Sequence, residues 1–404
     1  MPDSVVSLLG AEAIERIRMP VDEACGLPRQ AYIAQDFFDL ERQRLFPRVW
    51  MGVGFTSDLP DPGDAIPLIV AGVPIILCRD KTGELRAFHN VCRHRAALVL
   101  EKPAKNVNVL SCPYHAWAYG LDGALRGIPF WDGTPDARNS KLDWSKNGLV
   151  PVRLGVWHHW IFVNLDGQAP PLLDYLAPML KLTEGFDLSA TKFHKRVDWE
   201  FNANWKFQND NWETYHHTWV HGGIFDKISD DIDMETGEPY AATLQWENVV
   251  TLKRRPHPNK KATILNLDGV RLPPIPRIPG FEDNLGGTSL IFPNVTITLA
   301  ENHLASVITD PLAPNRTHAI LGFFFVGDAA TSEDMAPARK PVLDRWLGTS
   351  RDRSGMDGIR SQDFSIWESQ QIARQSHVAD DVKFSATWER NIHHFHNRLV
   401  DGLM

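Results

Sequence analysis

The sequence predicts an α+β protein: a short helical lead-in, a small all-β domain, and a larger domain in which helices cover one face of an antiparallel sheet. Three observations point there. At 404 residues with 43% hydrophobic side chains, the chain exceeds one ordinary core and fits two globular domains. From Val49 to about Leu165, turn dipeptides such as Thr82-Gly83, Asp122-Gly123 and Asp132-Gly133 cut it into short runs rich in Val, Ile, Trp and Phe. From Ala169 onward, helical and strand-like patterns are mixed.

In chain order, residues 1–45 read as helical, through Glu12-Ala13-Ile14-Glu15-Arg16-Ile17 and Phe37-Phe38-Asp39-Leu40-Glu41-Arg42, and are expected to pack with the C-terminal domain. Pro47 marks the change to the all-β domain, residues 46–167. Residues 168–404 offer a helix near Leu172 to Leu182, strands at Ala241 to Leu252, Ser289 to Ala300 and His318 to Val326, and a helical C-terminus. The longest apolar run, Ile66 to Cys78, contains Pro67 and Pro74 and breaks at Ala71-Gly72, so it reads as two strands and a turn, too short to cross a bilayer.

Composition narrows the partners. A net charge of −8 lacks the footprint of a nucleic-acid binder. The opening MPDSVVSLLG has no basic n-region, so no export signal is read and a cytoplasmic, membrane-free protein is expected. Of four cysteines, Cys25, Cys78, Cys92 and Cys112, two stand beside histidines, which suggests metal ligation in a reducing compartment over disulfides.

Cys92-x-His94 and Cys112-x-x-His115 each offer one thiolate and one imidazole from a tight turn. Brought tip to tip, they supply the ligand set of a Rieske [2Fe–2S] centre, whose neutral imidazoles raise the reduction potential above that of an all-cysteine cluster. Zinc also accepts Cys2His2, although its usual spacing groups like ligands together. Downstream, His216 and His221 lie slightly over one helical turn apart. With one carboxylate they would complete a 2-His-1-carboxylate triad, which leaves open positions on Fe(II) for O2 chemistry.

Cys92-Arg93-His94-Arg95 and Cys112-Pro113-Tyr114-His115-Ala116-Trp117 resemble the two cluster loops of ring-hydroxylating oxygenase α subunits. Asn204-Trp205-Lys206, Asp210-Asn211, Glu213, His216 and His221 resemble the family's iron motif, and Gln362-Asp363 followed by Glu368 and Gln370 its third-ligand segment. The resemblance implies that Cys92 and Cys112 hold one cluster iron, His94 and His115 the other, and that His216, His221 and Asp363 hold a mononuclear Fe(II). Asp357 and Glu368 are the competitors for the carboxylate. Glu213 is implied to bridge an iron-ligand histidine of its own subunit and His115 of a neighbour, a carboxylate between imidazoles that fixes their tautomers. The interval from Asp210 to Glu213 is shorter than usual in the family and leaves Asp210 without an assigned role. Glu in place of the more frequent Asp at 213 also occurs in relatives acting on quaternary amines.

The resemblance further implies a Rieske domain followed by a helix-grip catalytic domain, in a homotrimer or a multiple of trimers. Residues Phe292 to Leu299 and Phe323 to Phe325 are expected to line the pocket, with about half facing inward by strand alternation. No Gly-rich dinucleotide fingerprint and no plant-type ferredoxin spacing is present, so electrons would come from a separate NAD(P)H-dependent reductase, with or without a ferredoxin. Arg93 and Arg95 are candidates for steering that donor. The favoured reading is hydroxylation of a small aromatic compound with O2. Oxidative N- or O-demethylation and quaternary-amine oxidation stand as the alternative, with Trp212, Tyr215, Trp219, Phe225 and Trp246 as candidate cation–π residues. Outside the oxygenase class, the rival is a non-catalytic Rieske electron carrier. Lys253-Arg254-Arg255 with Lys260-Lys261 reads as a solvated loop, and His393, His394 and His396 as part of a packed or surface helix.

Overall fold

The computed structural model describes residues 4–137, 140–213, 220–221, 241–254, 272–281, 286–348 and 358–404. They form two units, residues 46–172, and residues 1–45 together with 173–404.

The first unit carries β1 (Met51–Phe55), β2 (Ala65–Val70), β3 (Val73–Arg79), β4 (Leu85–His89), β5 (Val109–Ser111), β6 (Ala118–Gly120), β7 (Leu125–Gly127), β8 (Pro151–Trp157) and β9 (Trp160–Asn164). Its sheets are antiparallel, ordered β1-β9-β8-β4-β3-β2 and β5-β6-β7. The apolar run Ile66 to Cys78 becomes the β2–β3 hairpin, turning at Ala71 and Gly72 with φ of 50° and 81°. Two positive φ values give the twist that a two-residue hairpin needs. At Gly123, where φ is 82°, an added Cβ would come within 2.4 Å of the Phe88 ring, so close packing as well as turn geometry requires glycine there. The core gathers Ile76, Phe88, Tyr119, Leu121 and Leu125 around two thiols, Cys92 and Cys112. All four cysteines are free of disulfides.

The second unit is built on one antiparallel sheet of β10 (Thr191–Phe201), β11 (Ala241–Gln245), β12 (Val249–Arg254), β13 (Gly287–Ile291), β14 (Val295–Leu299), β15 (His303–Ala313) and β16 (Arg316–Val326), ordered β10-β16-β15-β14-β13-β12-β11. Every residue of β14 is buried, so the sheet centre is covered on both faces. One face of β14 puts Ile297 and Leu299 beside Met179 and Leu182. The other puts Thr296 under Gln208, whose amide donates to it at 2.8 Å. The helix Ile359–Ala373 lies along β10, with Phe364 against Trp199 and Phe201, and Trp367 against Phe201.

The N-terminal segment is anchored in this second unit by a fully buried ion pair, Lys206 Nζ to Glu41 Oε1 at 2.7 Å, with Trp205 Nε1 donating to Glu41 Oε2 at 3.1 Å. Burial pushes the Glu41 carboxyl up and the Lys206 ammonium down, and their mutual attraction opposes both shifts. The Tyr32, Phe37 and Trp205 rings surround the ammonium at 5.2 to 5.5 Å, supplying cation–π contacts in place of water. Among the described residues, no helix is long and apolar enough to cross a membrane.

Candidate metal centres

Two loops of the all-β unit adopt the same turn although their spacings differ. Cys92 N–H donates to Ala97 O and Cys112 N–H to Trp117 O, each at 2.8 Å, while Ala96 N–H returns to Cys92 O and Ala116 N–H to Cys112 O, each at 3.0 Å. Ala96 and Ala116 take matching φ values of 58° and 56°. Both thiols are buried, 3% exposed, whereas His94 is half-buried and His115 exposed. The imidazoles adjoin at 4.7 Å between centroids, and His94 stacks on Trp117 with Trp131 at its edge.

Burial pushes the Cys112 thiol up and the adjoining Cys92 sulfur adds to that, so the two thiolates need a cation between them. Burial, His115 and Arg95 hold His94 below its ordinary value, in the neutral form that ligates metal. Paired inner thiols and paired outer imidazoles fit a two-iron cluster. Tyr119, absent from the sequence reading, belongs here too: its hydroxyl accepts from Arg93 N–H at 2.9 Å and lies 3.3 Å from Cys92 Sγ. No local spacing rule marks it, because a strand carries it across to the opposite loop.

In the second unit, His221 and Asp363 meet in the interior, both about 2% exposed at the side chain, with Nε2 3.4 Å from Asp363 Oδ1. His221 Nδ1 bonds Gln362 Oε1 at 2.8 Å. An amide oxygen accepts, so Nδ1 carries a proton and Nε2 is the ring nitrogen that faces the carboxylate. An imidazole nitrogen and a carboxylate oxygen facing each other in the interior are a donor set that fits two ligands of a cation. Asn211 Nδ2 donates to Asp363 Oδ1 at 2.9 Å, and Arg360 Nη1 lies 3.3 Å from Asp363 Oδ2. Burial pulls Arg360 down from its ordinary value, and Asp363 opposes this.

His216 lies outside the described residues, as do Asp357, Tyr215, Trp219 and Phe225. Glu213 is half-buried. Glu368 is turned to another task, accepting from Asn202 N at 2.8 Å. Trp212 packs with Val250, Leu252 and Leu290, so it is core and not a cation–π wall. His393 and His394 bond the Ile17 and Trp246 carbonyls, and His396 is buried.

Residues 49–137 match the profile of the Rieske [2Fe-2S] domain, and residues 188–403, more than half of the chain, match that of the ring hydroxylating alpha subunit (catalytic domain). Among curated proteins, the carnitine monooxygenase oxygenase subunit of Escherichia coli (strain K12) is 35% identical over 216 residues, covering 52% of this chain and 55% of that protein. Thus the match spans little more than half of that relative's length. The glycine betaine monooxygenase oxygenase subunit of Chromohalobacter salexigens is 27% identical over 399 residues, covering 94% of this chain and 86% of that protein.

A solved quaternary ammonium Rieske monooxygenase shares the fold with TM-score 0.74 at 22% identity, over 97% of this chain and 98% of that one. Naphthalene 1,2-dioxygenase from Rhodococcus sp. shares it with TM-score 0.75 at 20% identity, over 98% and 99%. The paired profiles imply a Rieske cluster and a mononuclear iron, which the two donor sets accommodate. The chain belongs to the ring-hydroxylating α-subunit family of Rieske non-haem iron oxygenases.

Proposed function

We propose that the chain is the terminal oxygenase component of a multicomponent monooxygenase acting on a quaternary amine, supplied with electrons by a separate reductase and assembled as a trimer. The supporting observation is the likeness to a glycine betaine monooxygenase subunit over 94% of the chain, joined by the 35% likeness to a carnitine monooxygenase subunit over half of it. These relatives favour the alternative drawn from the sequence over the aromatic substrate first preferred. The likeness to naphthalene 1,2-dioxygenase, at 20% identity, carries the fold alone.

When bound, the cluster relays single electrons and the iron activates O2. The protein's own part is positioning. Cys92, Cys112, His94 and His115 would hold the cluster, with the thiols on its buried side and the imidazoles on its outer side. Tyr119 would donate to Cys92 Sγ, since a thiolate holding the cluster can only accept. His221 and Asp363 would be iron ligands, with His216 the third. Gln362 fixes the His221 tautomer, while Asn211 and Arg360 each hold one oxygen of Asp363. Glu213 would join an iron-ligand histidine to His115 of a neighbouring subunit, orienting both rings.

The test is oxygen uptake by the iron-loaded chain with a reductase, comparing glycine betaine and carnitine with naphthalene. Uptake and an oxidised product with a trimethylammonium compound alone are expected. Turnover of naphthalene alone would restore the aromatic reading.

A further inference from the structure

Cys25 takes no part in either candidate metal centre, and its sulfur is one of four reactive or charged groups in mutual contact. Arg16 Nη2 donates to Sγ at 2.7 Å and Lys383 Nζ at 3.1 Å, while Asp381 Oδ1 pairs with both cations and lies 3.4 Å from the sulfur. The backbone imposes this meeting. Cys25 and Lys383 face each other in an antiparallel bridge, and beside it the Gly26 N–H donates to the Val382 carbonyl at 2.9 Å. Residues directly opposite in such a bridge put their side chains on one face. Cys25 is 4% exposed, yet the side chains in contact with its sulfur, Arg16, Asp381 and Lys383, are 40%, 62% and 61% exposed, so a small oxidant has only solvated charges to pass. Cys78 is the contrast within the chain. Its thiol donates to the Leu121 carbonyl at 3.5 Å, and burial pushes it up to about 12.

Two cationic donors at one sulfur assist attack on a peroxide in two ways. The thiolate is the attacking form, and it would form here between two cations; an ammonium at 3.1 Å can also protonate the hydroxide that leaves. We propose that Cys25 and Lys383 form a reversible covalent cross-link on exposure to hydrogen peroxide, the two-electron reduction product of O2. First, the sulfur attacks one peroxide oxygen: the S–O bond forms as the O–O bond breaks, and the departing hydroxide takes a proton from the Lys383 ammonium and leaves as water. The sulfur, oxidised by two electrons, is then a sulfenic acid, and the lysine is left as a neutral amine. Second, the amine nitrogen attacks the sulfur: the S–N bond forms as the S–O bond breaks, and the hydroxyl leaves as water with one amine proton. The product is a sulfenamide, at the oxidation level of a disulfide, and a thiol reductant reverses it. The two residues are 358 apart in sequence, so the link fastens the N-terminal segment to the C-terminal part of the same unit.

The test is peptide mass spectrometry of the cluster- and iron-loaded full-length chain after treatment with equimolar hydrogen peroxide, with the cluster's visible spectrum recorded throughout. In wild type the Cys25 and Lys383 peptides are expected to appear joined, lighter than their sum by two hydrogen atoms, and to separate on reduction with dithiothreitol. K383R keeps the cation but lacks the amine, so its Cys25 should stop at the sulfenic acid and be trapped by dimedone. R16M should slow the loss of free Cys25 by about tenfold, the scale of one charge-assisted hydrogen bond. Cys78 should stay unmodified in every digest. An unmodified Cys25 in wild type, a dimedone adduct there without the joined peptides, or a Cys78 as reactive as Cys25 overturns the inference. So does a link that forms only after the cluster spectrum is lost.

Discussion

At Tyr119 a single proton sets the surroundings of a buried sulfur. The oxygen accepts from Arg93 N–H, and because a cluster-bound Cys92 thiolate can only accept, the hydroxyl 3.3 Å from Sγ would donate to it. A donor to a cluster ligand favours the reduced, more negative state. Y119F should therefore lower the cluster potential by about 40 mV, one neutral hydrogen bond in a one-electron couple, read by protein-film voltammetry. Asp210, which the sequence left without a role, receives one from partners far along the chain. Leu27 N–H donates to His396 Nδ1, so Nε2 carries the proton and donates to Asp210 Oδ1 at 2.9 Å, while Tyr32 donates to Oδ2 at 2.7 Å. D210A should cost about 3 kcal/mol by chemical denaturation, since it strands two buried donors. That Cys92, His94, Cys112 and His115 come together was legible because metal ligation ties residue type to short spacing. The Asp210 network was not, because its partners are 178 and 186 residues away.

Among the elements, strands with strong apolar periodicity were legible and half-solvated ones were not. The strand read at Ser289 to Ala300 is a hairpin of β13 and β14, and that read at Ala241 to Leu252 is the hairpin of β11 and β12, folded by the Trp246 N–H to Val249 carbonyl bond. The edge strand β10 went unread because Lys192, Lys195, Arg196 and Asp198 dilute its pattern, and β15 because Asp310-Pro311 interrupts it. Asp310 pairs in register with His318. Burial pushes its carboxyl up to about 7, with His318 opposing. A folded value above the unfolded one, about 4, means stabilisation that is complete below pH 4 and lost as pH rises through 7. D310N has no such loss. Thermal melts at pH 5 and pH 8 should show wild type falling behind the variant at the higher pH.

For the whole molecule, composition and two ligand constellations were enough to name the class, and the substrate was not legible because no short motif encodes a pocket wall. The electron donor is more accessible to reasoning. Arg93 and Arg95 are exposed beside His94, and Arg95 stays ordered against Tyr114, with its guanidinium 5.4 Å from the ring. R93E/R95E should slow reduction of the cluster by an acidic donor and flatten its dependence on salt, as stopped-flow bleaching of the cluster would record.

The central claim is that one polypeptide carries two iron centres built from separate donor sets. Iron and acid-labile sulfide per chain, measured on wild type and D363A, test it most directly. The prediction is about three irons and two sulfides in wild type, falling to about two irons in D363A with the sulfide and the Rieske spectrum unchanged. About two irons in both proteins, or zinc in place of iron with no sulfide, would contradict it.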